Sequence, residues 1–563
     1  MDAAIRFFPF LRSFRFGGET IKADLLAGLT VSLVAIPQAL AYAQLAGVPA
    51  YYGLYASLIP TIIGALFGSS RQLSTGPVAM TSLLTAASVA PLAVHGSEQF
   101  ITYVILLALL SGLFQIGFGL LKMGKLLNFL SNPVLMGFIN AAAIIIGLSQ
   151  LSTLLGISVN QTDHFMLDVW HVVSNLGTMH EPSVLFGIAA IIMLIGFKKY
   201  QPKLPGVLIT VAVLTWASYV LGYAKMGGHV VGVVPQGLPT LGIPALDGRA
   251  TLALLPAAIV IALISFMEAM SSSKVISIKT SKPWDENQEL VGQGLAKVAA
   301  AFSHSMPVSG SFSRSALNLA ADAKTGMSSI FSAFFVGLTL LFFTSLLYHL
   351  PKPVLAATIM MAVINLIDFR TIVTAWRTNK DDGIAAIATF VTTLAFAPNI
   401  QNGILTGIVL SLMLLLYNMT KPKVAVLGIH QGSMLRDASH NNLPPMHPKL
   451  GAIRFDGALR FINVSYFEEA LLRLERENPG ITHILVKCSG VNDMDASGVS
   501  MLFNLVERFR NKGITLTFSG PKKQVRDVMN RSGLSQKIGE ANIFATDRDA
   551  IDGLYRQLDP SQA

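Results

Sequence analysis

The stretch Ser309-Gly-Ser-Phe-Ser-Arg-Ser-Ala316 interrupts the apolar second half of the chain with hydroxyl groups, a glycine and an arginine. A similar break, Ser74-Thr-Gly-Pro77, lies in the first half. Each break opens an apolar segment that is too short and polar to cross about 30 Å of hydrocarbon alone. Because non-helical backbone at membrane depth is tolerated mainly in protein cavities, the breaks predict two half-helices that face a cavity.

The features that precede the two breaks also correspond. Pro37 and Gln38 interrupt the first apolar run, and Glu268 interrupts the eighth at a similar distance before its own break. Two pairs of features in the same order indicate an internal repeat. Fourteen apolar segments are predicted in all, so each half contains seven. Because seven is an odd number, the two halves must insert with opposite orientation, as in transporters built from inverted repeats.

The composition is typical of a polytopic membrane protein. Of 563 residues, 52% are hydrophobic and only 13% are charged, and the mean hydropathy is +0.58. The apolar residues form runs of about 18 to 25, the length that crosses a bilayer. Fourteen segments are predicted, at 23–43, 51–69, 76–92, 99–121, 127–150, 183–198, 205–223, 251–273, 287–303, 311–323, 327–349, 353–368, 382–398 and 401–418.

The distribution of positive charge predicts the orientation. The formal net charge of +10 comes from Lys and Arg in the even-numbered connections between segments, whereas the odd-numbered ones hold little beyond Lys225, Arg249 and Lys352. Since cytoplasmic loops are enriched in Lys and Arg, we expect the even connections and both termini in the cytosol of a cell (inner or plasma) membrane. No cleavable signal peptide is apparent. The charge therefore reflects topology, and no nucleic-acid partner is expected.

The sequence predicts four regions: a cytoplasmic N-terminal segment at 1–22, a transmembrane transport domain at 23–418, a polar linker at 419–448 and a soluble cytoplasmic domain at 449–563. In the last region, alternating apolar residues predict a strand or hairpin at 453–461 and a buried strand at 483–487. Helices near 467–474, 497–511, 522–531 and 547–557, with a strand at 514–519, predict a small α/β domain with a mostly parallel sheet.

The two polar breaks are the candidate binding site. Helix N-termini present unsatisfied N–H groups and partial positive charge, which suit an anion. Thr75, Gly76, Gly310 and Ser311 stand where the half-helix N-termini are predicted, with hydroxyl donors and room for close backbone approach. Simple N-capping would explain either break alone, but the pairing of the two favours a ligand site.

Two charged residues sharpen this interpretation. Arg314 follows the second break, and its planar guanidinium suits an oxyanion. Glu268 lies in an apolar span, where a carboxylate costs at least about 2.5 kcal/mol, so it should have a partner or a function. Proton coupling is the favoured function, and a static Glu268–Arg314 ion pair is the alternative. Lys297 is a further cation in an apolar span, where it could contribute to anion attraction or snorkel to the cytoplasmic surface, and snorkelling is the favoured interpretation.

The remaining candidates are weaker. Gln38 and Tyr42 lie one helical turn apart and can face the same cavity, although simple core packing would explain them nearly as well. In the soluble domain, Ser497 is a candidate regulatory phosphosite beside a helix N-terminus, with plain N-capping by Asp495 or Ser497 as the more ordinary explanation. The single cysteine, Cys488, excludes an intramolecular disulfide. No catalytic residues, metal site or cofactor are predicted, and the protein is not expected to be an enzyme.

Taken together, these segments closely resemble the SulP sulfate permease family, the superfamily of solute carrier family 26 and the plant sulfate transporters. The resemblance covers nearly the whole chain. The motifs that carry it are Ile36-Pro-Gln-Ala-Leu-Ala-Tyr42, Leu45-Ala-Gly-Val-Pro49, Tyr52-Gly-Leu-Tyr55, Ser74-Thr-Gly-Pro-Val78, Gly137-Phe with Gly147, Glu268-Ala and Ser309-Gly-Ser-Phe-Ser-Arg-Ser-Ala316.

The resemblance implies a polytopic α-helical fold of fourteen segments in a 7+7 inverted repeat, like that of uracil transporters, with a core and a gate, followed by a STAS domain. It implies elevator-type transport of a small inorganic anion, a homodimer in the lipid bilayer and a regulatory protein partner at the STAS domain. The anion-site positions implied are Gln38, Tyr42, Val78, Ser313 and Arg314, and Glu268 matches a proton-coupling carboxylate. Lys297 stands where many members have Asn.

Proton-coupled sulfate uptake is the expected activity, because the 309–316 motif together with Glu268 looks most like the proton-coupled sulfate carriers. Sodium-coupled bicarbonate transport and proton-coupled dicarboxylate transport are the alternatives within the same class. An anion channel, or a sensor that signals through its STAS domain, is the alternative from a different class.

Overall fold

The computed structural model describes residues 17–124, 131–157, 165–201, 204–364, 366–397, 400–430 and 434–558. The predicted N-terminal segment at 1–22 lies mostly outside these residues. The chain divides between Ser411 and Leu412 into two compact units. The first unit is helical and apolar, and the second is built around a β-sheet.

The first repeat of the helical unit runs from α1 to α10. Its elements are α1 (Gly18–Leu45), α2 (Tyr51–Ala56), α3 (Ile59–Phe67), β1 (Ser74–Gly76), α4 (Ala79–Val89), α5 (Glu98–Leu120), α6 (Asn132–Ser149), α7 (Leu151–Leu155), α8 (Phe165–Ser174), α9 (Glu181–Tyr200) and α10 (Gly206–Leu221). The second segment is split into α2 and α3, and the third is the short strand β1 followed by the half-helix α4.

The second repeat follows the same plan, with a strand and a half-helix in third place. Its elements are α11 (Gly248–Thr280), α12 (Glu286–Phe302), β2 (Ser309–Ser311), α13 (Phe312–Ala320), α14 (Met327–Phe342), α15 (Thr344–Leu347), α16 (Lys352–Ile364), α17 (Phe369–Thr378), α18 (Lys380–Ala395) and α19 (Gln401–Thr420). Among the described residues, seven helical stretches are long and apolar enough to cross a membrane by themselves.

The predicted fold class is therefore confirmed: a helical membrane-spanning core in which all fourteen predicted segments occur in order. Helices α8 and α17, which join segments, were not predicted. Local sequence explains several helix starts, because an acidic or polar side chain caps them. Asp247 accepts a hydrogen bond from Arg249 N at 2.9 Å, and Asp285 accepts one from Asn287 N at 2.9 Å.

Helices α5 and α12 pack closely through two glycines. A Cβ atom on Gly112 would lie 2.8 Å from the carbonyl oxygen of Gly294, and one on Gly294 would lie 2.8 Å from that of Gly112. This reciprocal contact is too close for any larger residue. It lets two backbones meet, as small residues do in membrane helix pairs.

The second unit contains one six-stranded sheet in the order β4-β3-β5-β6-β7-β8. Strands β5 to β8 are parallel, as predicted, whereas β3 is antiparallel to both of its neighbours. Residues 423–430 and 434–437, assigned from sequence to the linker, form β3 and β4 of this sheet. The elements are β3 (Lys423–His430), β4 (Met434–Asp437), β5 (Leu450–Asp456), α20 (Val464–Glu477), β6 (His483–Lys487), α21 (Ala496–Asn511), β7 (Thr515–Ser519), α22 (Lys523–Arg531), α23 (Leu534–Ile538), β8 (Ile543–Phe544) and α24 (Asp547–Leu558).

The core of this unit lies between the sheet and its helices. Phe455 of β5 and Phe467 of α20 pack with ring centroids 4.8 Å apart. Cys488, which follows β6, is only 3% exposed. Burial, together with the negative charge of Asp547, raises the pKa of its thiol to about 12, so the thiolate does not form at neutral pH.

Candidate functional site

The two polar breaks meet in the structure. Strands β1 and β2 pair antiparallel, with Ser74 opposite Ser311, Thr75 opposite Gly310 and Gly76 opposite Ser309. The half-helices α4 and α13 therefore begin at the two ends of one short strand pair. All six paired residues are buried, and Gly310 lies close to α11, because a Cβ atom there would approach Ala269 Cα to 2.9 Å.

A cavity of about 770 Å³ lies beside this crossing. Most of the predicted site residues line it, on α1, at the starts of α4 and α13, and on α11. Those that do so are Gln38, Tyr42, Val78, Glu268, Gly310, Ser311 and Ser313. The facing wall is apolar and comes from α6, α10 and α16, with Met136, Val207 and Met361 among its residues. The cavity thus has a polar wall, formed by α1, α4, α11 and α13, and an apolar wall, formed by α6, α10 and α16.

The cavity lining extends to connections on one side of the helical unit. Its lining includes Asn132, Lys198, Leu204 and Leu366. These residues lie in or beside the fourth, sixth and twelfth connections between segments. All three connections are even-numbered and belong to the basic side of the protein.

Arg314 lies behind the cavity wall, and it does not line the cavity. It is 2% exposed, and its Nη1 donates a hydrogen bond to the carbonyl oxygen of Pro77 at 2.9 Å. Its Nη2 atom is buried without a hydrogen-bond partner among the described residues. Gly76 makes room for this group, since a Cβ atom there would lie 3.0 Å from Nη2. Arg314 therefore joins the two half-helices and places one positive charge between them.

Glu268 reaches the cavity from α11. Its Oε2 atom is buried and has no hydrogen-bond partner among the described residues. The charges of Lys297 and Arg314 both act on this carboxyl group, yet no ion pair within the described part of the chain joins it to either residue. The alternative of a static Glu268–Arg314 ion pair is therefore not what the structure contains.

The prediction that Lys297 snorkels to the surface is wrong. Lys297 is 0% exposed, and its amine donates hydrogen bonds to Ser265 Oγ at 2.6 Å and to Gln115 Oε1. Ser265 and Glu268 lie one turn apart on α11, so Lys297 stands behind the carboxylate. The position of Gln115 within an apolar span was a sequence signal that this residue needs a buried partner, because such residues are costly unless they are paired.

Thr75 takes part in a second buried network, not in the cavity wall. Its Oγ1 accepts a hydrogen bond from Gln293 Nε2 at 2.8 Å, and the same amide donates to Glu289 Oε1 at 3.1 Å. The other oxygen of Glu289 accepts from the backbone N–H groups of Ser69 and Ser70 at 2.8 and 2.9 Å. Sequence analysis did not single out Glu289, whose carboxylate ties α12 to the turn before β1.

In the soluble unit, Asp495 is the N-cap of α21. Its Oδ1 accepts a hydrogen bond from Gly498 N at 2.9 Å, and its Oδ2 accepts one from Phe461 N at 2.9 Å. Ser497 lies exposed in the first turn. A phosphate at this position would meet the positive end of the helix. Phosphorylation of Ser497 stays a prediction.

Two half-helices that begin at one buried strand pair, beside a cavity and within an inverted repeat of membrane segments, define the architecture of a secondary transporter. The comparison with known proteins narrows this class. The chain belongs to the sulfate permease family, whose family model matches residues 21–389. The model of the STAS domain matches residues 445–550.

Individual proteins give the same assignment. The chain is 32% identical to sulfate transporter 4.1, chloroplastic, of Arabidopsis thaliana, covering 98% of this chain and 82% of that protein. It is 31% identical to the probable sulfate transporter MT1781 of Mycobacterium tuberculosis, covering 95% and 96% of the two chains. The structure of SLC26A9 shares the fold, with a TM-score of 0.90, 21% identity and coverage of 100% and 94%. The protein is thus a multi-pass membrane transporter of inorganic anions and not an enzyme.

Proposed function

We propose that the protein takes up sulfate together with protons. The observation that carries this proposal is the unpartnered carboxyl oxygen of Glu268 at the cavity wall, beside two half-helix N-termini and two buried cations. Relatives named as sulfate transporters, similar over nearly the whole chain, support sulfate as the anion.

Sulfate would bind at the starts of α4 and α13. Backbone N–H groups in the first turn of each half-helix suit a tetrahedral anion. The hydroxyl groups of Ser311 and Ser313, whose oxygens lie 3.4 Å apart, supply further donors. Arg314 would contribute its positive charge from behind the cavity wall, where its guanidinium is bonded to the carbonyl oxygen of Pro77. Gln38 and Tyr42 complete the polar wall. The apolar wall excludes competing water.

The charge balance gives Glu268 its role. With Glu268 protonated, the two positive charges of Lys297 and Arg314 balance a sulfate dianion, so the loaded core carries no net charge. With Glu268 ionised and no sulfate bound, the same groups sum to one positive charge. A loaded core costs less to move through a low-dielectric region, so proton binding favours the movement of sulfate. One sulfate with one proton would carry one net negative charge inward in each cycle.

Alternating access would follow an elevator movement. The polar wall, with α1, α4, α11 and α13, would move against the apolar wall of α6, α10 and α16. The opening toward the basic, even-numbered connections would be the cytosol-facing state, with both termini in the cytosol of the cell membrane. We further propose that the protein is a homodimer, and that a regulatory protein or phosphorylation of Ser497 acts through the STAS domain.

The test is radiolabelled sulfate uptake into liposomes that contain the purified protein. An inward proton gradient should accelerate uptake by the wild type. Glu268→Gln removes the titrating group without changing its size, so uptake should lose its dependence on the gradient while counterflow of labelled sulfate continues. Glu98→Gln, which changes an exposed carboxylate at the start of α5, should behave like the wild type.

Other outcomes distinguish the alternatives. Uptake of bicarbonate with sodium, or of a dicarboxylate with protons, in place of sulfate would overturn the substrate and keep the carrier. Sulfate currents that do not saturate would indicate a channel. Sulfate uptake by Glu268→Gln that still follows the proton gradient would remove Glu268 from the coupling step.

A further inference from the structure

Helix α17, between the twelfth and thirteenth segments, has four different faces. Ile372 and Ala375 are buried, where α17 packs against α6 and α18. Phe369, Val373 and Trp376 follow one another at helical spacing, and each is 45–49% exposed. These three side chains form an apolar stripe that is about half exposed, and at one end of it Phe369 contacts Phe390 of α18 edge-on, with ring centroids 5.7 Å apart.

The remaining two faces are charged and polar. Arg370 and Arg377 lie seven residues apart, so they share one side of the helix, directly beside the apolar stripe. Both are exposed, and no ion pair among the residues described in the structure involves either. Thr374 and Thr378 occupy the next face. Around the helix, the order is therefore protein contact, apolar stripe, arginines and neutral polar groups.

This order matches the layers of a bilayer surface. An interfacial helix buries its apolar face at the boundary of the acyl chains, with aromatic and basic residues at headgroup level. The apolar stripe would contact acyl chains, the arginines would lie among the headgroups and the threonines would face water. Guanidinium groups favour phosphate as a partner, and the basic, even-numbered side of the protein is where anionic lipids attract positive charge.

We propose that α17 lies in the membrane interface and that Arg370 and Arg377 bind the headgroups of anionic phospholipids. A second copy of the chain would instead have to bury the two arginines against its own basic side.

The position of α17 connects this lipid site to the transport cavity. Asn140 of α6 accepts a hydrogen bond from Asp368 N at 2.7 Å through Oδ1, and its Nδ2 donates to the carbonyl oxygen of Asp368 at 3.1 Å. Asp368 in turn caps α17 by accepting from Arg370 N at 3.0 Å. Leu366, two residues before this cap, lines the cavity mouth. Lipid bound to α17 would hold the apolar wall of the cavity in place at its open end.

The test uses Trp376 as a probe within the apolar stripe. With Trp170, Trp216 and Trp284 changed to Phe, the full-length protein is placed in phosphatidylcholine liposomes that contain a low fraction of lipid with brominated acyl chains. We expect brominated phosphatidylglycerol to quench Trp376 more strongly than brominated phosphatidylcholine does. Two arginines at a surface give about a 30-fold local preference for anionic lipid, and the difference should shrink as salt is added.

The variant Arg370→Gln/Arg377→Gln should be quenched equally by the two lipids. The matched control, Arg473→Gln/Arg476→Gln, removes the same charge from exposed positions on α20 and should retain the preference. Equal quenching of the wild-type helix would overturn recognition of anionic lipid. Absence of quenching by either lipid would place Trp376 against protein, as a second copy or another partner would. A preference that survives in the double variant would remove the two arginines from the site.

Discussion

The two half-helices are built on the same backbone plan but carry different chemistry. In the first repeat, α4 starts after Val78, which makes no side-chain cap, and all of its residues are buried. In the second, Ser311 caps α13 by accepting from Arg314 N at 3.4 Å. Beside the half-helices, the first repeat gives the cavity only neutral side chains, including Gln38 and Tyr42, and its one lining cation, Lys198, is an exposed residue at the end of α9. The buried charged residues Glu268, Lys297 and Arg314 all belong to the second repeat.

The difference shows that the backbone arrangement of a strand and a half-helix occurs in both repeats, whereas the buried charged side chains occur only in the second. A single guanidinium serves both halves, because Arg314 reaches across to the carbonyl oxygen of Pro77. Two such arginines at the crossing would lie side by side in a buried space and repel each other. The structure therefore predicts that the second half-helix is sensitive to changes of charge and the first mainly to changes of shape.

The largest effect is expected from Arg314→Met, which makes the second half-helix as neutral as the first. Removing one member of a buried charged set costs about 3–5 kcal/mol, so sulfate uptake should fall by more than about 100-fold. Uptake into liposomes measures this loss. Arg249→Met, at an exposed arginine, is the control. Near-normal uptake by Arg314→Met would mean that backbone groups alone bind the anion.

A smaller effect is expected from Lys297→Met, which removes the charge behind Glu268 and leaves Arg314 in place. A dianion should lose more electrostatic stabilisation than a monoanion. Sulfate uptake should therefore fall by about tenfold, a change of about 1.4 kcal/mol, and uptake of nitrate should fall less. Lys279→Met, at an exposed position on α11, is the matched control. Equal losses for the two anions would give Lys297 a structural role only.

Gly76→Ala tests the shape of the first half. The added methyl group would lie 3.0 Å from Arg314 Nη2 and displace the guanidinium slightly. Sulfate uptake should fall several-fold, because overpacking costs about 1–3 kcal/mol. A Cβ atom on Gly117 would meet nothing within 4 Å, so Gly117→Ala is the control. If both variants transport normally, the position of Arg314 tolerates movement.

The smallest change is expected from Val78→Ser, which gives the first half-helix a capping hydroxyl like that of the second. A capping side chain stabilises a helix start by about 1 kcal/mol, and a donor at the cavity wall can also bind the anion. The KM for sulfate should fall by a factor of about two to five. Val94→Ser, at a position 78% exposed, should leave the KM unchanged. A raised KM would show that Val78 contributes by its apolar shape.

The sequence predicted the membrane segments and the half-helices well, because each of these elements has a local signature. Apolar length gave the fourteen segments, and the polar breaks at 74–77 and 309–313 gave the half-helices. In the soluble domain, the strand at 483–487 has the predicted bounds. The strands at 423–430 and 434–437 were missed, because proline and glycine around them gave the segment the composition of a linker.

The partners of buried polar groups were not predictable. Gln115 and Lys297 lie 182 residues apart, and no local pattern indicates that two such residues meet. The wrong prediction for Lys297 followed from treating a long cation within an apolar span as a group that reaches the surface. Helix α17 did have a signal, the helical spacing of Phe369, Val373 and Trp376, but a stretch of ten residues is too short to stand out beside the longer apolar runs.

Cys488 makes this protein convenient for distance measurements. Its thiol is buried and has a pKa of about 12, so reagents that require a thiolate should not react with it. A pair of cysteines, one on the polar wall and one on the apolar wall, could then carry spin labels or fluorophores in an otherwise wild-type background. The separation of the labels, followed as sulfate and protons are added, would report directly whether one wall slides past the other.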